Sequence, residues 1–475
     1  MASPLPGVVA TTASPAAPAS SASARPGATP FVRTSAAVFA AFVLIQLIEY
    51  GALSIYVPFL KASRLTTLLS YGLMAMVIIR YKGEVFASYQ AKLFGTFVVF
   101  TGVGILWAVV RSYVPLALRY HVDYFGLFII TAFIVDSPRR ARVLGMAFAA
   151  ITVLLVVTNR NMFGQEIRFG AFAAAYFMGD GNDFGWGLIV MLPLTLYLMV
   201  GRRPLLIRAI GAVGLLFNLV GIIGTESRGA TIALVACMLL FWATVARRKL
   251  LFAGVAVAGV IAVLLLAPPA YFARMNTLKN VDDDNSAQGR LRAWRAARQM
   301  ALDYPLGVGA NNFNSAYGRF YIPADTSGWA ANRWMSTHSC YFKVLAEYGY
   351  PGLILFLSIL FITARDNVLS ARRLRRAEGA AVFEPEWPLL LNVSLTGYAI
   401  CALFLGGITY PHLYLLAGLT VATTRVSLRA EAAPAGAGAA LPRDAAPADP
   451  RPTGRDRAAR PALQPRPTAG PGRFF

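Results

Sequence analysis

Apolar stretches of membrane-spanning length follow one another through most of this chain. They lie near 36–50, 52–80, 93–110, 114–135, 142–158, 184–200, 205–223, 229–246, 250–267, 339–363, 388–406 and 409–424. A helix needs about 20 apolar residues to cross the hydrocarbon of a bilayer. The pattern therefore predicts an all-α polytopic membrane protein with about 12 transmembrane helices. Lys61 and Arg64 interrupt the second stretch. One long polar segment, 268–338, breaks the series, which divides the chain into five regions. These are an arm at 1–34, helices at 35–267, a large loop with an amphipathic helix at 268–338, helices at 339–425 and a basic tail at 426–475.

The basic residues fall in alternate connections. Arg80, Lys82 and Lys92 mark the first, Arg139, Arg140 and Arg142 the second, and Arg202, Arg203 and Arg208 the third. Arg247, Arg248 and Lys249 follow, then Arg365, Arg372, Arg373, Arg375 and Arg376. Lys and Arg near spans are retained on the cytoplasmic side. Both tails then face the cytoplasm, and 111–113, 159–183, 224–228, 268–338 and 407–410 face the other compartment. That second set holds Arg168, Asp180, Asp183, Glu226, Arg228, Arg290 and His338.

Composition narrows the class. The chain is 57% hydrophobic and 14% charged, well below the roughly 25% charged residues of soluble domains, and its mean hydropathy is +0.56. The net charge of +22 is explained by topology and by the C-terminal tail, so no nucleic-acid partner is expected. Three cysteines, at 237, 340 and 401, form no CxxC pair and give no metal or redox signal. Residues 1–34 are rich in Ala, Ser and Pro and lack the core of a signal peptide. Both tails are too poor in large apolar residues to fold.

Three places carry candidate chemistry. Thr225-Glu226-Ser227-Arg228-Gly229 joins two apolar runs. An arginine at membrane depth is costly, and its planar fork suits phosphate; snorkelling to headgroups or pairing with Glu226 is the alternative. Residues 289–302 read as an amphipathic helix that begins at Gly289. Leu291, Trp294, Ala297 and Ala301 lie on one face, and Arg292, Arg295 and Gln299 on another. Such a start would place Arg290 at a helix N-terminus, where free amides favour phosphate; an interfacial helix on anionic lipid is the competing reading. Finally, His338 opens the apolar run after the long segment. An imidazole there can take a proton from a hydroxyl near neutral pH. The Asp282-Asp283-Asp284 run reads as a solvated turn rather than a metal site. Asp180, Asn182 and Asp183 read as capping the following helix, with lining the site as the alternative.

At these residues the chain resembles the O-antigen ligase family, within the superfamily it shares with O-antigen polymerases and protein O-oligosaccharyltransferases. The blocks, in order, begin with Ser227-Arg228-Gly229-Ala230. Next come Gly289-Arg290 through Trp294, then Asp303-Tyr304-Pro305-Leu306-Gly307-Val308-Gly309 with Asn312-Phe313. His338 and Ala346-Glu347-Tyr348-Gly349-Tyr350-Pro351-Gly352 complete the set. Relatives often carry Asn after the histidine, where this chain has Ser339-Cys340.

The resemblance implies a membrane glycosyltransferase of the GT-C class in the bacterial inner membrane, with its site facing the periplasm. The donor would be polysaccharide on undecaprenyl diphosphate and the acceptor a sugar of lipid A–core. No ATP, cofactor or metal would be required. In that reading Arg228 and Arg290 stabilise the diphosphate, His338 is the general base, and Arg292 and Arg168 are weaker substrate-binding candidates. A polymerase or protein O-oligosaccharyltransferase with the same donor is the nearest alternative. A transporter is the more distant one, because ionisable residues are sparse inside the spans.

Overall fold

The computed structural model describes residues 34–162, 169–170, 177–276, 285–322, 335–377 and 383–432. Every regular element among them is helical. The first part comprises α1 (Ala36–Tyr50), α2 (Leu53–Tyr56), α3 (Pro58–Ala62), α4 (Leu65–Arg80), α5 (Tyr89–Val103), α6 (Val114–Ile134) and α7 (Pro138–Thr158). The middle comprises α8 (Gly181–Leu196), α9 (Leu205–Gly224), α10 (Arg228–Thr244) and α11 (Lys249–Leu266). The long polar segment supplies α12 (Pro269–Asn276), α13 (Asn285–Asp303) and α14 (Phe313–Ala316). The chain closes with α15 (Cys340–Arg376), α16 (Glu386–Cys401) and α17 (His412–Ala432).

Among the described residues, seven helical stretches, including those of α8, α9, α11 and α15, are long and apolar enough to cross a membrane. The chain is thus a polytopic helical membrane protein. Helices α1, α4 and α10 are apolar but 15, 16 and 17 residues long, respectively. The run expected at 52–80 is not one helix. Left-handed Ala52 (φ 53°) sets it off from α1, and the extended Val57 before Pro58 and left-handed Arg64 (φ 50°) cut it into α2, α3 and α4, and Lys61 and Arg64 fall in the broken part.

The core lies where α8 runs through the bundle. Trp186, Leu188, Ile189, Val190, Met191 and Leu192 are all fully buried, walled by α7, α9, α10 and α16. By contrast, α11 buries no residue, and Leu250 is 91% exposed. An apolar helix with no protein face is the surface a bilayer covers.

Side-chain and backbone contacts sort the helix termini into two ends. At one end Glu384 meets Arg203 at 2.6 Å and Arg142 at 3.9 Å and accepts from the Tyr197 hydroxyl. There too Arg425 pairs with Glu84 at 2.5 Å, Arg373 with Glu431 at 3.2 Å, and Arg247 with Glu386. The alternate basic connections thus gather at this end. The other end collects the start of α8, the α9–α10 turn, the start of α15 and the α16–α17 connection.

A smaller second core fixes α13 over that end. Ala293, Ala297 and Met300 are fully buried against Val308, Phe313, Tyr317 and Ala346. The Asp303–Gly309 and Ala346–Gly352 blocks knit together. Val308 N–H donates to Ala346 O at 2.9 Å, Gly309 N–H to Glu347 O at 3.0 Å, and Tyr350 N–H to Pro305 O at 3.0 Å. The buried Glu347 carboxylate accepts from the amides of Asn311 (3.0 Å) and Phe313 (3.2 Å). Gly349, at φ 64°, breaks α15, and a Cβ there would lie 2.0 Å from Pro305 O. These motif residues hold the polar segment onto the bundle.

Candidate active site

The turn between α9 and α10 is shaped by its own side chains. Glu226 adopts φ 50°. Thr225 Oγ1 accepts from Ser227 N–H at 3.3 Å, and Ser227 Oγ caps α10 by accepting from Ala230 N–H at 3.3 Å. The turn packs against α8 at Gly185, where a Cβ would lie 2.8 Å from the Ala230 Cβ. Arg228 is thereby fixed, half-buried, in the first turn of α10.

Arg228 lines a cavity of about 240 Å³. Ala287, Arg290, Leu291 and Trp294 of α13 line it too, at the i, i+3, i+4, i+7 spacing of one helix face. The wall is completed by Arg274 of α12, Asn182 of α8, and Phe404 and Leu405 beyond α16. Three arginines from three helices therefore meet at the start of α10, with Trp294 and Phe404 as apolar walls. Guanidinium groups and the open amides of a helix start both favour phosphate oxygens.

His338 stands beside this cavity. Thr337 and Ser339 on either side are buried, whereas His338 is exposed and adopts φ 45°. Its neighbours are anchored. Trp294 Nε1–H donates to Thr337 O at 2.9 Å, and Cys340 N–H to Ala402 O at 2.8 Å. Trp294 also stacks on Phe342, with centroids 5.0 Å apart. Histidine is among the few residues that tolerate left-handed backbone, and strain of this kind concentrates at functional sites. The ring is open to solvent yet walled by protein. That enclosure, then the Arg290 charge, hold its pKa below the ordinary 6.5, with Asp180 opposing. His338 is therefore a neutral imidazole near pH 7, able to accept a proton.

The other two histidines serve packing. His121 is bonded to Tyr414 and Tyr348 at 2.8 Å each, and His412 to Tyr50 at 3.0 Å, all within the buried bundle.

Several expectations change. Helix α13 starts at Asn285, so Arg290 is in its second turn and not at its N-terminus. Leu291 and Trp294 face the cavity, and the buried stripe is Ala293, Ala297 and Met300. Arg292 does not line the cavity; it faces Tyr317. Arg295 and Arg298 are exposed. Asp180 does cap α8, accepting from Asn182 N–H at 2.6 Å and Asp183 N–H at 2.9 Å. Arg168 and Asp282-Asp283-Asp284 lie outside the described residues.

Asn182, expected as part of the cap, lines the cavity. Arg274 and Phe404 were not anticipated as site residues. For Arg274 a signal existed, since it sits in the same polar segment as Arg290. Phe404 comes from a distant element, and no local pattern marks it.

A cavity lined by three arginines thus lies beside an exposed histidine at one end of a membrane bundle. Residues 211–357 match the family model described as O-Antigen ligase. The matched stretch contains Arg228, Arg274, Arg290, Trp294 and His338. No curated protein matches the chain.

Proposed function

We propose that the protein is an O-antigen ligase of the bacterial inner membrane, working on its periplasmic face. It would transfer a polysaccharide from undecaprenyl diphosphate to a sugar of lipid A–core. The observation that carries this reading is the convergence of Arg228, Arg274 and Arg290 on one cavity beside His338.

The chemistry follows from charge. An acceptor hydroxyl attacks the anomeric carbon of the donor. The new carbon–oxygen bond forms as the bond to the diphosphate breaks, with inversion at that carbon. The hydroxyl proton passes to the His338 imidazole, and the electron pair leaves with the diphosphate. The growing negative charge is met by guanidinium groups already held in place, which need no reorganisation as the bond breaks. The lowered pKa of His338 keeps it unprotonated beforehand, and the same Arg290 that lowers it faces the leaving group's cavity.

The alternate basic connections support the orientation, since they gather at the opposite end from the cavity. Incubating purified protein with the lipid-linked glycan and lipid A–core tests the reading. A lengthened lipopolysaccharide ladder, in chelator and without ATP, is the expected product. Lipid-linked glycan of increased length and no ladder would assign a polymerase instead, and neither product would contradict glycosyl transfer.

A further inference from the structure

A second cavity, of about 210 Å³, lies between the end of α1, the start of α4 and the middle of α6. Its polar lining includes Gln46, Glu49, Thr67, Ser70, Tyr120 and Asp123, with no lysine or arginine among its lining residues. Gln46 is 1% exposed, and its Oε1 is buried without a hydrogen-bond partner. A buried carbonyl oxygen in that state asks for a donor. Asp123 is held in place by the Tyr71 hydroxyl, which donates at 2.5 Å, and by Arg119 at 3.7 Å. The cavity therefore offers an excess of acceptors beside tyrosine rings.

That lining is the reverse of the arginine cavity. Phosphate or a uronic acid would meet two carboxylates and no lining cation. A sugar brings hydroxyl donors for Gln46, Glu49 and Asp123 and an apolar face for a tyrosine ring. One of its lining residues is shared with a cavity on the Lys343 side. Tyr120 borders a further cavity of about 80 Å³ that Lys343 and Glu347 line. At Gly406 a Cβ would lie 3.8 Å from both Lys343 Cδ and His338 N.

We infer that the cavity bounded by Gln46, Glu49 and Asp123 is a saccharide subsite that accepts a neutral or amine-bearing sugar and rejects an anionic one. Resting on the transferase reading, it takes a sugar of the acceptor, which approaches His338 from the Lys343 side while the diphosphate occupies the Arg290 side.

Saturation-transfer NMR on the full chain in nanodiscs tests the site directly, with maltose, glucosamine and glucuronate as probes. Maltose and glucosamine should give signals that fall at least tenfold in Gln46→Leu and Glu49→Gln, while glucuronate gives none. In transfer assays the same variants should raise the KM for lipid A–core more than they lower kcat. Should Gln46→Leu misfold, Thr67→Leu at the cavity wall serves in its place. Equal signals from glucuronate, or sugar signals indifferent to these substitutions, would overturn the proposal. So would a Gln46-dependent rise in Tm with potassium chloride alone, which would mark a cation site. Gln46-dependent sugar binding by a protein without transfer activity would remove the transferase reading and leave the subsite standing. Transfer activity without such binding would do the reverse.

Discussion

Arginine plays different parts at the two ends of the bundle. At one end Glu384 draws Arg142, Arg203 and the Tyr197 hydroxyl together, and Glu84, Glu386 and Glu431 each take a basic partner from a distant part of the chain. Charge there ties helix ends to one another. At the other end Arg228, Arg274 and Arg290 present their side chains to a cavity, with His338 beside it. A net charge of +22 therefore does not by itself indicate a binding site. What distinguishes the second end is that its cations come from α10, α12 and α13 and meet around empty space.

The comparison can be broken most sharply at His338. His338→Ala should lower transfer by about 10²–10⁴, the usual loss for a general base, while leaving the melting temperature in detergent unchanged. Near-normal transfer would remove the base assignment. Next come the cavity arginines. Arg228→Ala and Arg290→Ala should each lower kcat by about 10²–10³. Arg290→Lys should recover only part of that, because lysine keeps the charge and loses the fork; full recovery would mean simple charge attraction.

Arg290 also sharpens the comparison through pH. Only neutral His338 can take the proton, so kcat/KM should fall as pH drops through its pKa. Since burial and the Arg290 charge hold that pKa below 6.5, the fall should begin below 6.5. Arg290→Gln removes one lowering influence and should move the acid limb to higher pH. An unmoved limb would uncouple the two residues.

At the opposite end the expected effect is on stability. Glu384→Gln leaves the 9%-exposed Arg203 without its carboxylate and should cost about 1–3 kcal/mol, read as a lowered Tm with the transfer rate of the folded protein retained. Arg292→Ala should be smallest, with less than about a threefold change in rate, because its side chain faces Tyr317 and any influence on the cavity acts only at range. A large loss there would return Arg292 to the site.

How far the sequence disclosed this site depended on how local each signal was. Arg228 and His338 flank long apolar runs and Arg290 sits in the one long polar segment between such runs, and charged residues in those places stand out on one-dimensional reading. Arg292 stood out for the same reason, but two helical residues are about 200° apart. The cavity therefore takes Arg290 and leaves Arg292 behind. The start of α13 was misplaced because Gly289 resembles a terminus, while the helix already runs from Asn285. The stretch at 52–80 breaks at Val57, before Pro58, and at left-handed Arg64, and an arginine does not advertise such a turn. Asn182, Arg274 and Phe404 reach the cavity only through packing of α8, α12 and the α16–α17 connection. The Gly307 and Gly349 blocks were legible as a resemblance, yet their work is structural, in hydrogen bonds that pin the polar segment to α15.

The most direct test compares wild type with His338→Ala in one transfer reaction containing undecaprenyl-diphosphate-linked glycan, lipid A–core and excess chelator. The arrangement of cavity and histidine predicts a lipopolysaccharide ladder from the wild type and a loss of about 10²–10⁴ in rate from the variant, with both proteins equally folded. A folded His338→Ala protein that ligates at the wild-type rate would contradict it.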